Sequence, residues 1–242
     1  MDSLSSLSPT WVPSCAVFDC DGVLLDSESA WNSVQRELFD RWSIPFTQEL
    51  EDRLTGLSAP QVADVLSELS FTGDRTDAQA FEQHRDATLA ELMRVEHEVI
   101  SSGVELIPGA REFLGYLASF MPVAVASNST AGILKLKMET YGFAPLVTTW
   151  VSSDDVPEGK PAPDIYLEAI ERLGGDPSHT VTFEDSAAGA SAARSAGTHL
   201  LVFAPEGVKD STPEGEAVFS SFEDPALLAL ARGWEQALQD RA

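Results

Sequence analysis

The sequence is poor in three things, and each shortage narrows what it can do. Basic residues are scarce: 15 Lys and Arg stand against 39 Asp and Glu, a net charge of −24. A nucleic-acid binder needs a basic footprint, and an anionic membrane attracts polybasic segments. No such block is present, so neither nucleic acid nor membrane is expected as a partner. Cysteine is scarcer still. Cys15 and Cys20 are the only two, both in or beside one apolar run, which argues against a disulfide framework. Long apolar runs are missing too: none approaches the ~18 residues of a membrane span. Residues 1–13 lack the basic start and apolar stretch of a signal peptide. The expectation is a cytoplasmic protein, monomeric, with a disordered N-terminus over residues 1–13. An anionic substrate would need local help in so acidic a chain, from a metal or a few placed cations.

What is present is enough for a sizeable core: 242 residues, 43% of them hydrophobic. Short apolar runs recur at residues 15–19 (CAVFD), 122–127 (PVAVAS), 149–152 (TWVS), 180–185 (TVTFED) and 198–203 (THLLVF), and read as buried strands. Helical patterns separate most of them, over residues 110–120, 130–141, 163–173 and 187–196. Strand alternating with helix implies a parallel sheet covered on both faces. The first gap differs. Between residues 27 and 104 only helix-like segments are found, at 28–42, 47–54, 60–69 and 78–100. That is too much for one crossover and reads as an inserted helical domain, with joints near residues 22–27 and 101–106 that suit a lid. The stretch 204–216, rich in Pro, Gly and charge, reads as a surface loop.

Ligands of open parallel sheets gather at the carboxyl ends of the strands. There the sequence places Asp19-Cys20-Asp21-Gly22, Ser127-Asn128-Ser129, Glu158-Gly159-Lys160-Pro161 and Glu184-Asp185-Ser186. An Asp-x-Asp pair on an extended chain points both carboxylates the same way. It can bind Mg²⁺, or divide labour between a nucleophile and a proton shuttle; it can also be a cap or a surface turn. Ser127 and Asn128 can hold a phosphate at a helix start or merely cap the helix. Lys160, one of four lysines beside Lys135, Lys137 and Lys209, can neutralise a phosphoryl oxygen and a carboxylate, or be a solvated loop residue. Glu184 and Asp185 are costly to bury unpaired; a shared cation explains them, whereas a helix cap uses only one. The bland readings require four coincidences at neighbouring strand ends. Together the segments point to a phosphoryl-transfer site.

In this order the four segments resemble the motifs of the haloacid dehalogenase superfamily of phosphatases, across residues 15 to about 204. Ala16-Val17-Phe18-Asp19-Cys20-Asp21-Gly22-Val23-Leu24-Leu25-Asp26-Ser27-Glu28 is similar to the first motif, Ser127 to the second, Lys160 to the third, and Glu184-Asp185 with Ser186-Ala187-Ala188-Gly189 to the fourth. The layout resembles the β-phosphoglucomutase-like branch, whose helical cap follows the first motif. The resemblance implies a doubly wound, mainly parallel Rossmann-like α/β core over residues 14–27 and 101–242, with an all-helical cap over 28–100. It implies that Asp19 attacks phosphorus to form an aspartyl-phosphate. Asp21 would protonate the leaving alcohol and then activate water. Ser127 and Lys160 would hold the phosphoryl oxygens, helped by the Asn128 backbone. Mg²⁺ would sit on Asp19, the Asp21 carbonyl and Asp185, with Glu184 a further ligand or acting through a water. The partner would be a small phosphorylated metabolite, and cap contacts are sought in Arg53, His84 and Arg85.

Dehalogenases proper lack the second acid that Asp21 supplies. Phosphonate hydrolases of the superfamily need a cap lysine, and residues 28–104 contain none. A phosphosugar mutase is the alternative to a phosphatase. That branch usually has a histidine where Trp31 stands and basic residues around Thr55-Gly56-Leu57-Ser58-Ala59, where this chain has only Arg53 nearby. A non-catalytic relative would have lost the nucleophile or the lysine, and both positions are filled.

Overall fold

The runs read as strands are apolar on both faces because they are covered on both faces. The computed structural model describes residues 11–27, 39, 42, 44–45, 47–54, 57–205 and 213–241. In chain order these form β1 (Cys15–Phe18), α1 (Gln48–Leu54), α2 (Ala59–Ser70), α3 (Ala78–Ser102), α4 (Ala110–Ala118), β2 (Val123–Ala126), α5 (Ala131–Thr140), β3 (Thr149–Val151), α6 (Asp164–Leu173), β4 (Thr180–Glu184), α7 (Ala187–Ala196), β5 (His199–Phe203), β6 (Ala217–Phe219) and α8 (Pro225–Gln239). The strands make one sheet in the order β3-β2-β1-β4-β5-β6, parallel at every pairing. Every residue of β1, β2 and β4 is buried.

Alternation along the strands sends successive side chains to opposite faces. Ala16, Phe18, Val123, Val125, Val181 and Phe183 join one core, together with Phe113, Phe219 and Phe222. Val17, Ala124, Ala126, Leu200 and Val202 join the other, under α6 and the alanine-rich α7. On the aromatic side Phe18 stacks on Phe183 with centroids 4.3 Å apart, and Phe113 meets Phe183 edge-on at 5.5 Å. Such pairs add ~0.5–1.5 kcal/mol each beyond the area they bury.

The elements between β1 and β2 are helices, as read from the sequence. The two chain passages joining them to the sheet run side by side: Asp26 N–H donates to Glu105 O at 2.9 Å and Ile107 N–H to Leu24 O at 3.0 Å. Most of the helix read at residues 28–42, with Trp31, Thr55 and Gly56, lies outside the described residues. Of the segment 1–13 read as disordered, residues 1–10 lie outside the described residues, while Trp11 and Val12 are packed against the sheet domain. Val12 is buried; the Trp11 indole N–H donates to Ser178 O at 3.1 Å, and its ring lies 3.9 Å from that of His199. An aromatic and a valine just before β1 gain more from packing where β4 and β5 begin than from solvent exposure. Both cysteines are buried and free. Among the described residues no helix is long and apolar enough to cross a membrane.

Candidate active site

The strand order reverses direction about β1, the switch point where open α/β sheets take their ligands. Asp19 is the first residue past β1, and its N–H still donates to Phe183 O of β4 at 2.9 Å, so the sheet fixes its backbone. Glu184 closes β4, Ser127 follows β2, and Lys160 lies in the loop from β3 to α6.

Lys160 is 2% exposed. Its Nζ donates to Asp19 Oδ1 at 2.5 Å and to Glu184 Oε1 at 2.7 Å. Asn128 anchors that loop from the end of β2: Lys160 N–H donates to Asn128 Oδ1 at 2.8 Å, and Asn128 Nδ2 donates to Lys160 O at 3.1 Å. The Asn128 side chain is thus spent on placing Lys160. Gly159 allows this approach, since a Cβ there would lie 2.6 Å from Asn128 Oδ1. Glu184 is fully buried and accepts from Tyr166 OH at 2.8 Å, from the N–H groups of Asp185 and Ser186 at 2.9 Å each, and from the Ser186 hydroxyl at 3.0 Å. The α7 cap falls to Ser186, whose Oγ accepts from Gly189 N–H at 3.0 Å, so Glu184 and Asp185 are not there to cap a helix. Likewise α5 begins after Thr130, which leaves Ser127 for another purpose.

Asp19, Glu184 and Asp185 each bring a carboxylate oxygen within 4.8 Å of the others, the one such acidic group among the described residues. Three carboxylates face one ammonium. Burial pushes the Asp19 carboxyl up to about 7; Lys160 opposes this, while Glu184 and Asp21 add to it. Burial would raise Glu184 too, but Lys160, the Ser186 N–H and Tyr166 outweigh it and hold that carboxyl below its ordinary value. The excess of buried oxygen anions suits a hard divalent cation such as Mg²⁺. Gly22, in the left-handed region at φ 77°, turns the chain so tightly over Asp185 that a Cβ there would sit 1.9 Å from Asp185 Oδ2.

Asp21 faces a different set of groups. Its Oδ1 accepts from Ser27 Oγ at 2.6 Å, and its Oδ2 from Ser127 Oγ and Ser129 Oγ at 3.2 Å each. Lys137 Nζ donates to both oxygens, at 2.7 and 2.8 Å. Burial would raise this carboxyl; Lys137 and the hydroxyls of Ser27 and Ser127 hold it below the ordinary range instead. Lys137 was not singled out from the sequence. Its signal was positional: it falls on the buried stripe of α5 with Ile133, Leu134 and Met138, where a lysine needs a partner.

The structure therefore gathers Asp19, Asp21, Ser127, Asn128, Lys160, Glu184 and Asp185. It does not bring the three insert candidates to them by any described bond. Arg53 is exposed at the end of α1. His84 Nε2 is hydrogen-bonded to Ser70 Oγ at 2.8 Å, and Arg85 pairs with Asp64, both within the insert.

Residues 13–197 match the family of haloacid dehalogenase-like hydrolases, and the chain belongs to that family. It is 29% identical over 206 residues to a phosphorylated carbohydrates phosphatase of Thermotoga maritima, covering 85% of this chain and 89% of that one. It is 30% identical over 193 residues to (DL)-glycerol-3-phosphatase 2 of Arabidopsis thaliana, 77% of each chain. The fold matches a β-phosphoglucomutase of Clostridium difficile with a TM-score of 0.69 at 16% identity, over 94% of this chain and 99% of that one. The class of enzyme is a phosphatase.

Proposed function

We propose that this chain hydrolyses the phosphate monoester of a small phosphorylated metabolite through a phosphorylated Asp19, with Mg²⁺ as cofactor. The observation that carries the reading is the buried Lys160 ammonium bridging Asp19 and Glu184 beside Asp185, at the sheet's switch point. Phosphoryl transfer spreads charge over the equatorial oxygens, so positioning and electrostatics do most of the catalysis. Asp19, Asp185 and the Asp21 carbonyl are the groups to hold Mg²⁺, with Glu184 behind them or reaching through a water. Bound there, the cation would offset charge on the phosphoryl oxygens.

The protein's own residues then have separable tasks. An Asp19 oxygen attacks phosphorus and the ester P–O bond breaks. Asp21, whose carboxyl Lys137 holds ionised in the substrate-free site, takes up a proton as the anionic ester enters and gives it to the departing oxygen. Asp21, now ionised, takes a proton from water as that water attacks the phosphoryl group; the Asp19–phosphorus bond breaks and inorganic phosphate leaves. Ser127, the Asn128 backbone and Lys160 hold the phosphoryl oxygens throughout. The helical insert, residues 28–100, acts as a cap that excludes water and selects the leaving group; Arg53 stays a candidate contact, while His84 and Arg85 are already engaged.

The test is phosphate release from a panel of monoesters that includes sugar phosphates and glycerol 3-phosphate, with and without Mg²⁺. Asp19→Asn serves as the blank, since the amide fills the same space without being nucleophilic. Mg²⁺-dependent release absent from the blank is the expected outcome. Equal release from the blank would remove Asp19 from the mechanism, and no release from any ester would favour the phosphosugar mutase.

A further inference from the structure

Lys137 has no task in the reaction just described, yet it is 1% exposed. Its ammonium has three protons to donate. They are directed to Asp21, to Ser129 Oγ at 2.7 Å and, more distantly, to Glu96 Oε1 at 3.4 Å. Glu96 belongs to α3, the long helix of the insert, and also accepts from Ser129 Oγ at 3.4 Å. A buried ion pair is weak support for stability, and an apolar residue of similar volume usually serves as well or better. Leucine or methionine at this position would continue the stripe of Ile133, Leu134 and Met138. The lysine needs another account than packing.

Geometry supplies it. Each carboxylate of the Asp-x-Asp pair is gripped by its own buried lysine: Asp19 by Lys160, Asp21 by Lys137. The hydroxyls of Ser27, Ser127 and Ser129 can rotate away from Asp21, and Ser127 must do so to reach a phosphoryl oxygen. Lys137 is the cation that contacts both Asp21 oxygens at once, and Ser129 bonded to the same ammonium braces it. We propose that Lys137 is a positioning residue that fixes the Asp21 carboxylate for proton transfer, with Glu96 tying that ammonium to the helical insert. The proposal rests on the reading of Asp21 as proton shuttle.

Leaving-group chemistry separates positioning from a structural role. p-Nitrophenolate departs without a proton, so phosphorylation of Asp19 by p-nitrophenyl phosphate does not need Asp21; attack of water on the phosphorylated Asp19 does. Rapid mixing of saturating p-nitrophenyl phosphate and Mg²⁺ with Lys137→Met should therefore give a burst of about one nitrophenolate per enzyme. Steady turnover after the burst should be roughly 10- to 100-fold below wild type, somewhat less than the ~10²–10⁴-fold of losing an acid–base group outright. Alkyl phosphates, which need both proton transfers, should show the same loss and no burst. Glu96→Gln should shift the same two phases in the same direction by a few-fold, and it decides the matter if Lys137→Met does not fold. Asp21→Asn is the reference: if it turns over like wild type, the reading of Asp21 fails and the proposal goes with it. If Asp21→Asn shows the burst while folded Lys137→Met has either normal turnover or a burst lost in step with turnover, the proposal alone is overturned.

Discussion

Replacing Lys160 with methionine tests whether the site is an assembly of charges rather than a packed corner. Methionine keeps an unbranched stem and removes the ammonium held at 2.5 Å from Asp19 and 2.7 Å from Glu184. Glu184, fully buried, is then left with neutral donors: Tyr166, Ser186 and two backbone N–H groups. It can stay charged, and removing one partner of a buried pair costs about 3–5 kcal/mol. It can instead take up a proton. At pH 7, about 2.5 pH units above its ordinary 4.5, that costs about 3 kcal/mol. The cheaper route sets the ceiling, so the variant should lose about 3 kcal/mol at pH 7, roughly 6–12 °C in Tm for a chain of this length. In the wild type the Glu184 carboxyl is held below its ordinary value. It therefore contributes stability that is present above the unfolded pKa and lost as pH falls through the folded one. That loss lies below pH 4.5, so between pH 7 and pH 5 it is the variant that changes: its folded Glu184 carries a proton that the unfolded chain does not, the cost falls with pH, and the gap narrows to about 0.7 kcal/mol at pH 5 by the same arithmetic. Urea unfolding of both proteins in EDTA at pH 5 and pH 7 measures it. An equal deficit at the two pH values would refute the reasoning and assign the loss to packing.

Gly189→Ala should lower turnover by roughly 10²-fold, because the new Cβ would lie 1.6 Å from Glu184 Oε1 and displace the residue that holds Lys160. Unchanged turnover with a raised Tm would show that only the ~1 kcal/mol helix advantage of alanine was felt. Because burial holds the Asp19 carboxyl up at about 7, a proton must leave when Mg²⁺ binds. Affinity by calorimetry should therefore rise about tenfold per pH unit up to that value and level off above it; an affinity flat from pH 5.5 to 8.5 would contradict the shift. Asp185→Asn should weaken Mg²⁺ binding by at least about tenfold while leaving the metal-free Tm unchanged or higher, as one half-buried charge is removed from beside two buried carboxylates; an identical metal titration would place the cation elsewhere.

The sheet was legible in the sequence wherever a strand is buried on both sides. CAVF, VAVA and TVTFE are apolar runs bounded by polar ends, and five of the six strands follow from such runs. The sixth, Ala217–Phe219, has three residues and directly follows the Pro-, Gly- and charge-rich stretch 204–216 read as a surface loop, which masked it. The last helix was readable and went unread: Leu227, Ala231 and Trp234 recur at i, i+4 and i+7, after Asp224, which caps it, and Pro225 in its first turn. In the site, the residues at strand ends were legible because the sheet, not the side chains, decides where they point. Lys160 was found from its turn, Gly159-Lys160-Pro161. Lys137 was not, because a helix hides which of its residues face a distant loop, and Glu96 lies 41 residues away in the chain. Only the identity of the stripe on α5, apolar except at one position, marked it.

That position bears on how so acidic a chain handles an acidic substrate. Charges farther than the ~8–10 Å screening length contribute little in physiological salt, so the net −24 matters less than what stands within a few ångströms of the phosphoryl group. Of four lysines, two are buried here, each against one carboxylate of the pair; Lys135, two residues from Lys137, is exposed. Buried pairs are not what a fold selects for stability, and two placed on neighbouring carboxylates cost desolvation twice. Lys160 has a cation's usual reason to be there, since phosphoryl oxygens arrive beside it. Lys137 lies behind Asp21 on the side of Ser129 and Glu96, and its charge meets Asp21 before it meets any ligand. A positive charge so placed is in contact with the carboxylate assigned the proton transfers, and that makes a burst measurement the deciding one.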